Sequence, residues 1–138
     1  MKIAGNFTQA MDFVKPGIYR GAIVAMDSHI SKQNTQCVRV KTKIVEGEFK
    51  GRFVSTILPI EGKAAGFWRK FLQVFKPDYF DGPVDTEELI DKPVIVEILE
   101  SKSTDGLRSY SKNFFRVADE ETILAVNRFL DEARGGAA

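Results

Sequence analysis

The sequence contains very little cysteine and histidine, and it has no long hydrophobic run. Cys37 is the single cysteine and His29 the single histidine among 138 residues, which excludes disulfides within the chain and multi-histidine or multi-cysteine metal sites. No segment approaches the roughly 18 consecutive apolar residues of a membrane helix, and residues 1–10 lack the apolar run of a signal peptide. We therefore expect a cytoplasmic protein that does not contact membranes and needs no cofactor.

Motifs that carry catalysis are also missing from the sequence. It has no glycine-rich phosphate loop, no nucleophile elbow and no nuclease-like carboxylate cluster with a basic partner. Six acidic residues and no lysine or arginine occupy positions 77–91, a pattern typical of a solvated connection. A divalent ion in this stretch, serving a nuclease accessory, is the weaker alternative. The sequence therefore predicts a binding protein that is not an enzyme.

Charge is distributed unevenly along the chain although the net charge is only +1. Residues 1–58 contain nine lysines and arginines against four acidic residues, whereas the remainder contains eleven against fifteen. The two parts therefore carry net charges of +5 and −4. Unless this asymmetry is scatter, it predicts a polarised surface that attracts a polyanion.

Hydrophobic periodicity predicts five strands and two helices. Alternating and β-branched runs predict strands at 18–27, 37–45, 52–58, 93–99 and 110–117, and helical spacing predicts helices at 64–75 and 119–134. Asp85 is placed to cap a short turn over 85–89. Three strands, a helix and two strands form the element order of the five-stranded Greek-key oligonucleotide-binding (OB) barrel. We expect one domain over 1–138, with the barrel at about 16–118 and a C-terminal helix after it.

The second predicted strand carries a line of cations. Arg39, Lys41 and Lys43 recur at every second residue, so they share one strand face over about 13 Å, opposite Val38, Val40 and Ile44. A phosphate backbone could follow this line. The alternative is an ordinary solvated face of an antiparallel sheet.

The fifth predicted strand interleaves cations with aromatic residues. Tyr110, Lys112, Phe114 and Arg116 share one face, and Phe115 and Val117 share the other. If the second pair faces the interior, the aromatic rings of the first set are exposed for stacking on bases, with cations beside them. The opposite register remains open from the sequence alone.

The hairpin between strands two and three adds further candidates. Phe49 is expected at its tip, where it would either stack on a base or cover the barrel mouth. Arg52 begins the returning strand beside the cationic line. The neighbouring Phe53 is expected in the core instead.

Two polar loops, at 28–36 and 100–109, are expected to flank the binding face and act as clamps. They contribute Lys32 and Arg108 to the candidate site. The aromatic helix around Trp68 is expected to plug the barrel, and its wide apolar face is also compatible with a homodimer contact.

Several segments resemble a group of phage-encoded single-stranded-DNA-binding proteins with an OB fold. The resemblance spans residues 14–117 and rests on Lys15-Pro16-Gly17-Ile18-Tyr19, Ser31-Lys32, Lys43-Ile44-Val45-Glu46-Gly47-Glu48-Phe49-Lys50-Gly51-Arg52 and Glu88-Leu89-Ile90-Asp91-Lys92-Pro93-Val94. It implies coating of single-stranded DNA during phage replication or recombination, in the cytoplasm of an infected bacterium, with little sequence preference and no chemistry. The competing hypothesis is a protein-interaction module on the same barrel, which bridges phage replication or recombination proteins.

Overall fold

The computed structural model describes residues 14–63, 65–102, 106 and 109–135, without the side chains of 101, 102 and 109–111. The elements, in chain order, are β1 (Gly17–Ile30), β2 (Gln36–Ile44), β3 (Phe53–Pro59), α1 (Ala65–Phe75), a 3-10 turn (Thr86–Leu89), β4 (Pro93–Lys102), β5 (Ser109–Arg116) and α2 (Glu120–Ala133). The predicted five strands and two helices are therefore confirmed in their predicted order. β1 is longer than expected at both ends, which shortens the first polar loop to residues 31–35.

All five strands belong to one antiparallel sheet with the order β3-β2-β1-β4-β5. β1 lies at its centre because its first half pairs with β4 and its second half with β2. A register shift between Ile23 and Ala25 marks a β-bulge, which bends and twists the strand between its two partners.

Gly21 lies where β1 passes closest to β2. A Cβ atom at this position would approach the Thr42 methyl group to 2.7 Å and the Lys43 carbonyl oxygen to 2.9 Å. Only glycine fits this close contact without a shift of the backbone. Any larger residue at this position would push β1 and β2 apart.

The inner face of the sheet holds the hydrophobic core. Its main clusters are built on Ile23, Val40, Phe71 and Leu72, and on Ile44, Phe49, Val54 and Val96. Alternation along the strands produces this division, since inward residues recur at every second position. The outward residues of β2 and β3 are consequently left to solvent.

Helix α1 packs against the core through Phe71 and Leu72. Trp68 is half-buried on the same side, with its ring stacked on Phe71 at 5.8 Å between centroids, which confirms its predicted packing role. After the helix, Asp85 caps the 3-10 turn by accepting a hydrogen bond from the Glu87 amide, as predicted.

Helix α2 covers part of the outer sheet face instead of extending away from it. Ala125 and Val126 pack on Ala22 of β1 and on Val45. Ile123, Val126 and Leu130 recur at helical spacing, which predicts that all three form the apolar stripe of the helix. This prediction is wrong for Ile123, which is 42% exposed. The helix turns its small residues to the sheet, which allows close approach and leaves the larger Ile123 outside.

Candidate nucleic-acid interface

The predicted cationic line lies on the outer face of β2. Val40, Thr42 and Ile44 are fully buried, whereas Arg39, Lys41 and Lys43 alternate with them and are partly exposed. Their cross-strand partners on β3 are Ile57, Ser55 and Phe53 respectively. We call these six residues the cationic face.

Phe53 belongs to the cationic face, and its expected place in the core is wrong. Val54, Thr56 and Leu58 fill the inward positions of β3, so Phe53 points outward with its partner Lys43. The ammonium groups of Lys41 and Lys43 lie 5.2 and 5.0 Å from the centre of its ring. These distances are typical of cation–π contacts, so the face combines an aromatic platform with two positive charges.

Arg39 differs from the two lysines. One of its guanidinium nitrogens lies 3.2 Å from Nδ1 of His29, and Asp27 is its cross-strand partner on β1. A carboxylate directly opposite reduces the positive potential at this end of the line. The charge available to an anion is therefore concentrated at Lys41 and Lys43.

Ion pairing separates the cationic face from six other basic residues. Within the part of the chain that the structure describes, no carboxylate forms an ion pair with Arg39, Lys41 or Lys43, whereas Lys15, Arg20, Lys50, Lys76, Arg116 and Arg134 each have at least one. The cations of β2 keep their charge available for an external anion.

Phe49 does not project from the hairpin tip as expected. It is only 7% exposed and packs on Val14, Ile44 and Val54. Gly47 and Gly51 have φ angles of 87° and 88°, a conformation that glycine adopts easily, and these turns fold the ring back over the core. Phe49 covers the mouth of the sheet and cannot stack on a base. The Arg52 guanidinium lies 5.0 Å from its ring centre.

On β5 the structure selects one of the two registers left open by the sequence. Phe115 packs against the core, while Lys112 and Arg116 are exposed and Phe114 is 39% exposed on the opposite face. Arg116 pairs with Glu97 of β4, so its charge is partly neutralised. The predicted inward position of Val117 is wrong, since this residue follows the strand and is 65% exposed.

A groove lies where the sheet edges β3 and β5 approach each other, and it contains the predicted site residues Lys112 and Phe114. The Asn113 amide nitrogen of β5 donates to the Ser55 carbonyl at 3.3 Å and to the Thr56 hydroxyl at 2.9 Å. A cavity of about 330 Å³ lies beside this contact, lined by Ser55, Thr56, Ile57, Leu58, Pro59, Phe67, Lys112, Asn113 and Phe114. We call it the seam groove. It shares Ser55 and Ile57 with the cationic face.

The loop candidates receive less support. Lys32 is exposed in the turn that follows β1, where the Thr35 amide donates to the Ser31 hydroxyl. Arg108 and the side chain of Tyr110 lie outside the described residues. The structure therefore places Lys32 at the surface and gives no position for the second predicted clamp.

Sequence reasoning missed an arginine that anchors α2 on the outer face of the sheet. The Arg20 guanidinium donates to Glu46 at 2.5 Å, to Glu121 at 2.7 Å and to the Thr122 hydroxyl at 3.2 Å. The hydrogen bond to Glu46, together with the negative charges of Glu46, Asp119 and Glu121, raises the Arg20 pKa above its ordinary value. Asp119 caps the helix by accepting from the Thr122 hydroxyl and amide, and those bonds lower the Asp119 pKa. We call this set the Arg20 anchor.

Two further observations concern other classes of function. Among the described residues there is no group of three or more histidine, cysteine, aspartate or glutamate side chains that could hold a metal ion. No helix in the described part of the chain has the length and apolar character needed to cross a membrane.

Two comparisons with known proteins found no match. No model of a protein family matches the chain, and no curated protein is significantly similar to it. The functional argument therefore depends on the geometry of the cationic face and the seam groove.

Proposed function

We propose that this protein binds single-stranded DNA, with little sequence preference and without catalysing a reaction, along the cationic face. The observation that carries the proposal is the pairing pattern of the basic residues. Lys41 and Lys43 point outward beside an aromatic ring, and within the described part of the chain neither has a carboxylate partner. Phosphates bind where positive charge is uncompensated.

The aromatic ring favours a single strand over a duplex. The bases of single-stranded DNA are free to stack on aromatic side chains, whereas a duplex keeps its bases stacked inside. In the absence of DNA, the lysine heads cover the Phe53 ring. On binding, the lysine ammonium groups would turn to phosphates, and a base would stack on the Phe53 ring in their place. Every base has a π-face, so this mode has little sequence preference.

The fold we propose is an OB barrel. Its support is the order of three strands, a helix and two strands, together with a sheet whose edges β3 and β5 meet through Asn113. In OB barrels the face formed by strands two and three binds oligonucleotides. The resemblance to phage proteins suggests a role in phage DNA replication or recombination.

A protein-interaction module is the second candidate function. Helix α2 and the segment before it leave three apolar side chains exposed, namely Val117 at 65%, Ile123 at 42% and Leu124 at 55%. Exposed apolar groups of this kind mark contact surfaces when they form one patch. A phage replication or recombination protein would then bind at α2.

The test is a fluorescence-anisotropy titration of a labelled oligothymidine, compared with a duplex of the same length, at two salt concentrations. We expect tight binding of the single strand that weakens as salt increases, and weaker binding of the duplex. The Arg39→Ala/Lys41→Ala/Lys43→Ala variant should bind much more weakly, though still measurably at low salt, while it keeps its circular dichroism spectrum. A folded wild-type protein that binds neither form would contradict the proposal and favour the interaction module.

A further inference from the structure

The seam groove has aromatic side chains on two walls. Phe67 of α1 is 53% exposed and Phe114 of β5 is 39% exposed, and both line the cavity. Asn113 lies between the two strands, held there by its hydrogen bonds to β3. Two large apolar rings open to solvent in one concave site are typical of a place where a flat apolar ligand binds.

The charge of the groove favours an anionic partner. Lys112 lines its main part, and Lys70 lines the adjoining part beneath Phe67 and Phe114. Among the described residues, no acidic side chain lines either part. The volume of about 330 Å³ lies at the lower end of the range for small-molecule sites, about 300 to 1,000 Å³. A flat ring attached to a phosphate suits both the shape and the charge.

The groove is also within reach of DNA bound on the cationic face. Ser55 lines the groove and is the cross-strand partner of Lys41. Paired strands lie about 4.8 Å apart, so a DNA backbone at Lys41 needs to cross only β3 to enter the groove. The two surfaces can therefore bind successive nucleotides of the same strand.

We propose that the seam groove holds one unstacked nucleobase of the bound single-stranded DNA between Phe67 and Phe114, with the adjacent phosphate at Lys112. This inference rests on the proposed function and adds a second, separate base site to it. The base in the groove leaves the stack, while its phosphate remains at the rim. Binding would thus depend on the presence of a base, and not only on the phosphate backbone.

The test combines two measurements on the full chain. Affinity is measured by anisotropy for an oligothymidine and for an abasic oligonucleotide of equal length, with wild type, Phe67→Ala and Phe114→Ala. Phe80→Ala is the matched control, because Phe80 is 67% exposed and does not line the groove. Separately, an oligonucleotide containing 5-iodouracil is photocrosslinked to wild type, and the crosslinked residues are identified by mass spectrometry.

We expect each groove variant to bind oligothymidine about tenfold more weakly, with an unchanged salt dependence because no charge is removed. The groove variants should lose less affinity for the abasic oligonucleotide than for oligothymidine. Phe80→Ala should bind both ligands like wild type. Crosslinks should map to Phe67 or Phe114. A different outcome is that wild type binds, both groove variants bind oligothymidine as tightly as wild type does, and crosslinks map to Phe53 alone. In that case the groove site is wrong and the proposed function stands. If folded wild type does not bind at all, the proposed function itself fails.

Discussion

The outer face of the sheet uses basic residues in two different ways. At the centre of the sheet, Arg20 is surrounded by Glu46, Glu121 and Thr122, and its charge is used within the molecule to hold α2 in place. On the neighbouring strand, the ammonium groups of Lys41 and Lys43 lie over aromatic rings, those of Phe53 and Phe129. The two regions lie side by side, since the Phe129 ring of α2 is 5.5 Å from the Lys43 ammonium.

This difference shows why the number of basic residues is a poor guide to anion binding. The net charge is close to zero, and several cations are already neutralised by carboxylates. The proposed function assigns phosphate binding to Lys41 and Lys43, whose ammonium groups lie over aromatic rings, because a ring attracts a cation without cancelling its charge. The predictions below separate the two regions by asking which changes alter DNA affinity and which alter stability.

The largest effect is expected from reversing the charge of the cationic face. We expect Lys41→Glu/Lys43→Glu to weaken binding of oligothymidine by about 100-fold or more, since phosphates then meet two negative charges. Thermal unfolding should change little because both side chains are at the surface. The control is Lys76→Glu/Lys92→Glu, which makes the same change in net charge at two exposed residues outside the cationic face. Equal losses in both variants would mean that net charge alone governs binding.

The next effect concerns the Arg20 anchor. Thr122 is fully buried, and its hydroxyl donates to Asp119 and accepts from Arg20. Thr122→Val keeps the shape of the side chain but removes both hydrogen bonds, which should cost about 2 kcal/mol of unfolding free energy. Chemical denaturation measures this loss, and Thr122→Ser, which keeps the hydroxyl, should recover part of it. An unchanged free energy of unfolding would show that the anchor does not stabilise α2. DNA affinity should stay near that of wild type.

Removing the aromatic platform should have a somewhat smaller effect. Phe53→Ala is expected to weaken oligothymidine binding by about tenfold and to leave the salt dependence unchanged. Phe53→Tyr should bind like wild type, because it keeps the ring. If the alanine variant binds as tightly as wild type, the ring only supports the lysines and does not contact bases.

The smallest effect is a pH dependence of stability. Hydrogen bonds from Thr122 lower the pKa of Asp119 in the folded state below its ordinary value. The ionised carboxylate therefore stabilises the fold above the unfolded pKa of about 3.9, and this contribution disappears as pH falls through the lower, folded pKa. Wild type should unfold at a higher temperature than Asp119→Asn at pH 7, and the two should converge as the pH falls below the folded-state pKa of Asp119. If the difference in unfolding temperature stays constant across this pH range, the charge of the Asp119 carboxylate is not the source of the stabilisation.

The sequence predicted most of the fold because alternation and helical spacing are local properties. The five strands, the two helices and the cap at Asp85 could be identified from such patterns. The expected positions of Phe49 and Phe53 were wrong, however, because the hairpin has one phenylalanine between its two glycines and another just after them, and local spacing does not show which of the two is buried. The signal that resolves them is the pairing register, since Lys43 faces outward and its partner Phe53 must share that face.

Other features could not be predicted because they join residues that are distant in the sequence. Arg20 and Glu121 are 101 positions apart, and nothing in either local pattern indicates that they meet. Likewise the seam groove forms only when β3 and β5 approach each other through Asn113 and Ser55. Strand patterns predicted which side chains each edge strand carries. The distance between the two edges depends instead on the curvature of the whole sheet.

The central claim is that the cations of β2 bind phosphates and the ion-paired cations do not. The most direct measurement is the slope of the logarithm of the binding constant against the logarithm of salt concentration, with oligothymidine. We compare wild type with Arg39→Ala/Lys41→Ala/Lys43→Ala and with the ion-paired control Lys15→Ala/Lys50→Ala/Lys76→Ala. Loss of three phosphate contacts should reduce the slope by about 2 in the first variant and leave it nearly unchanged in the control. The same reduction in both variants, or no reduction in the first, would contradict the account.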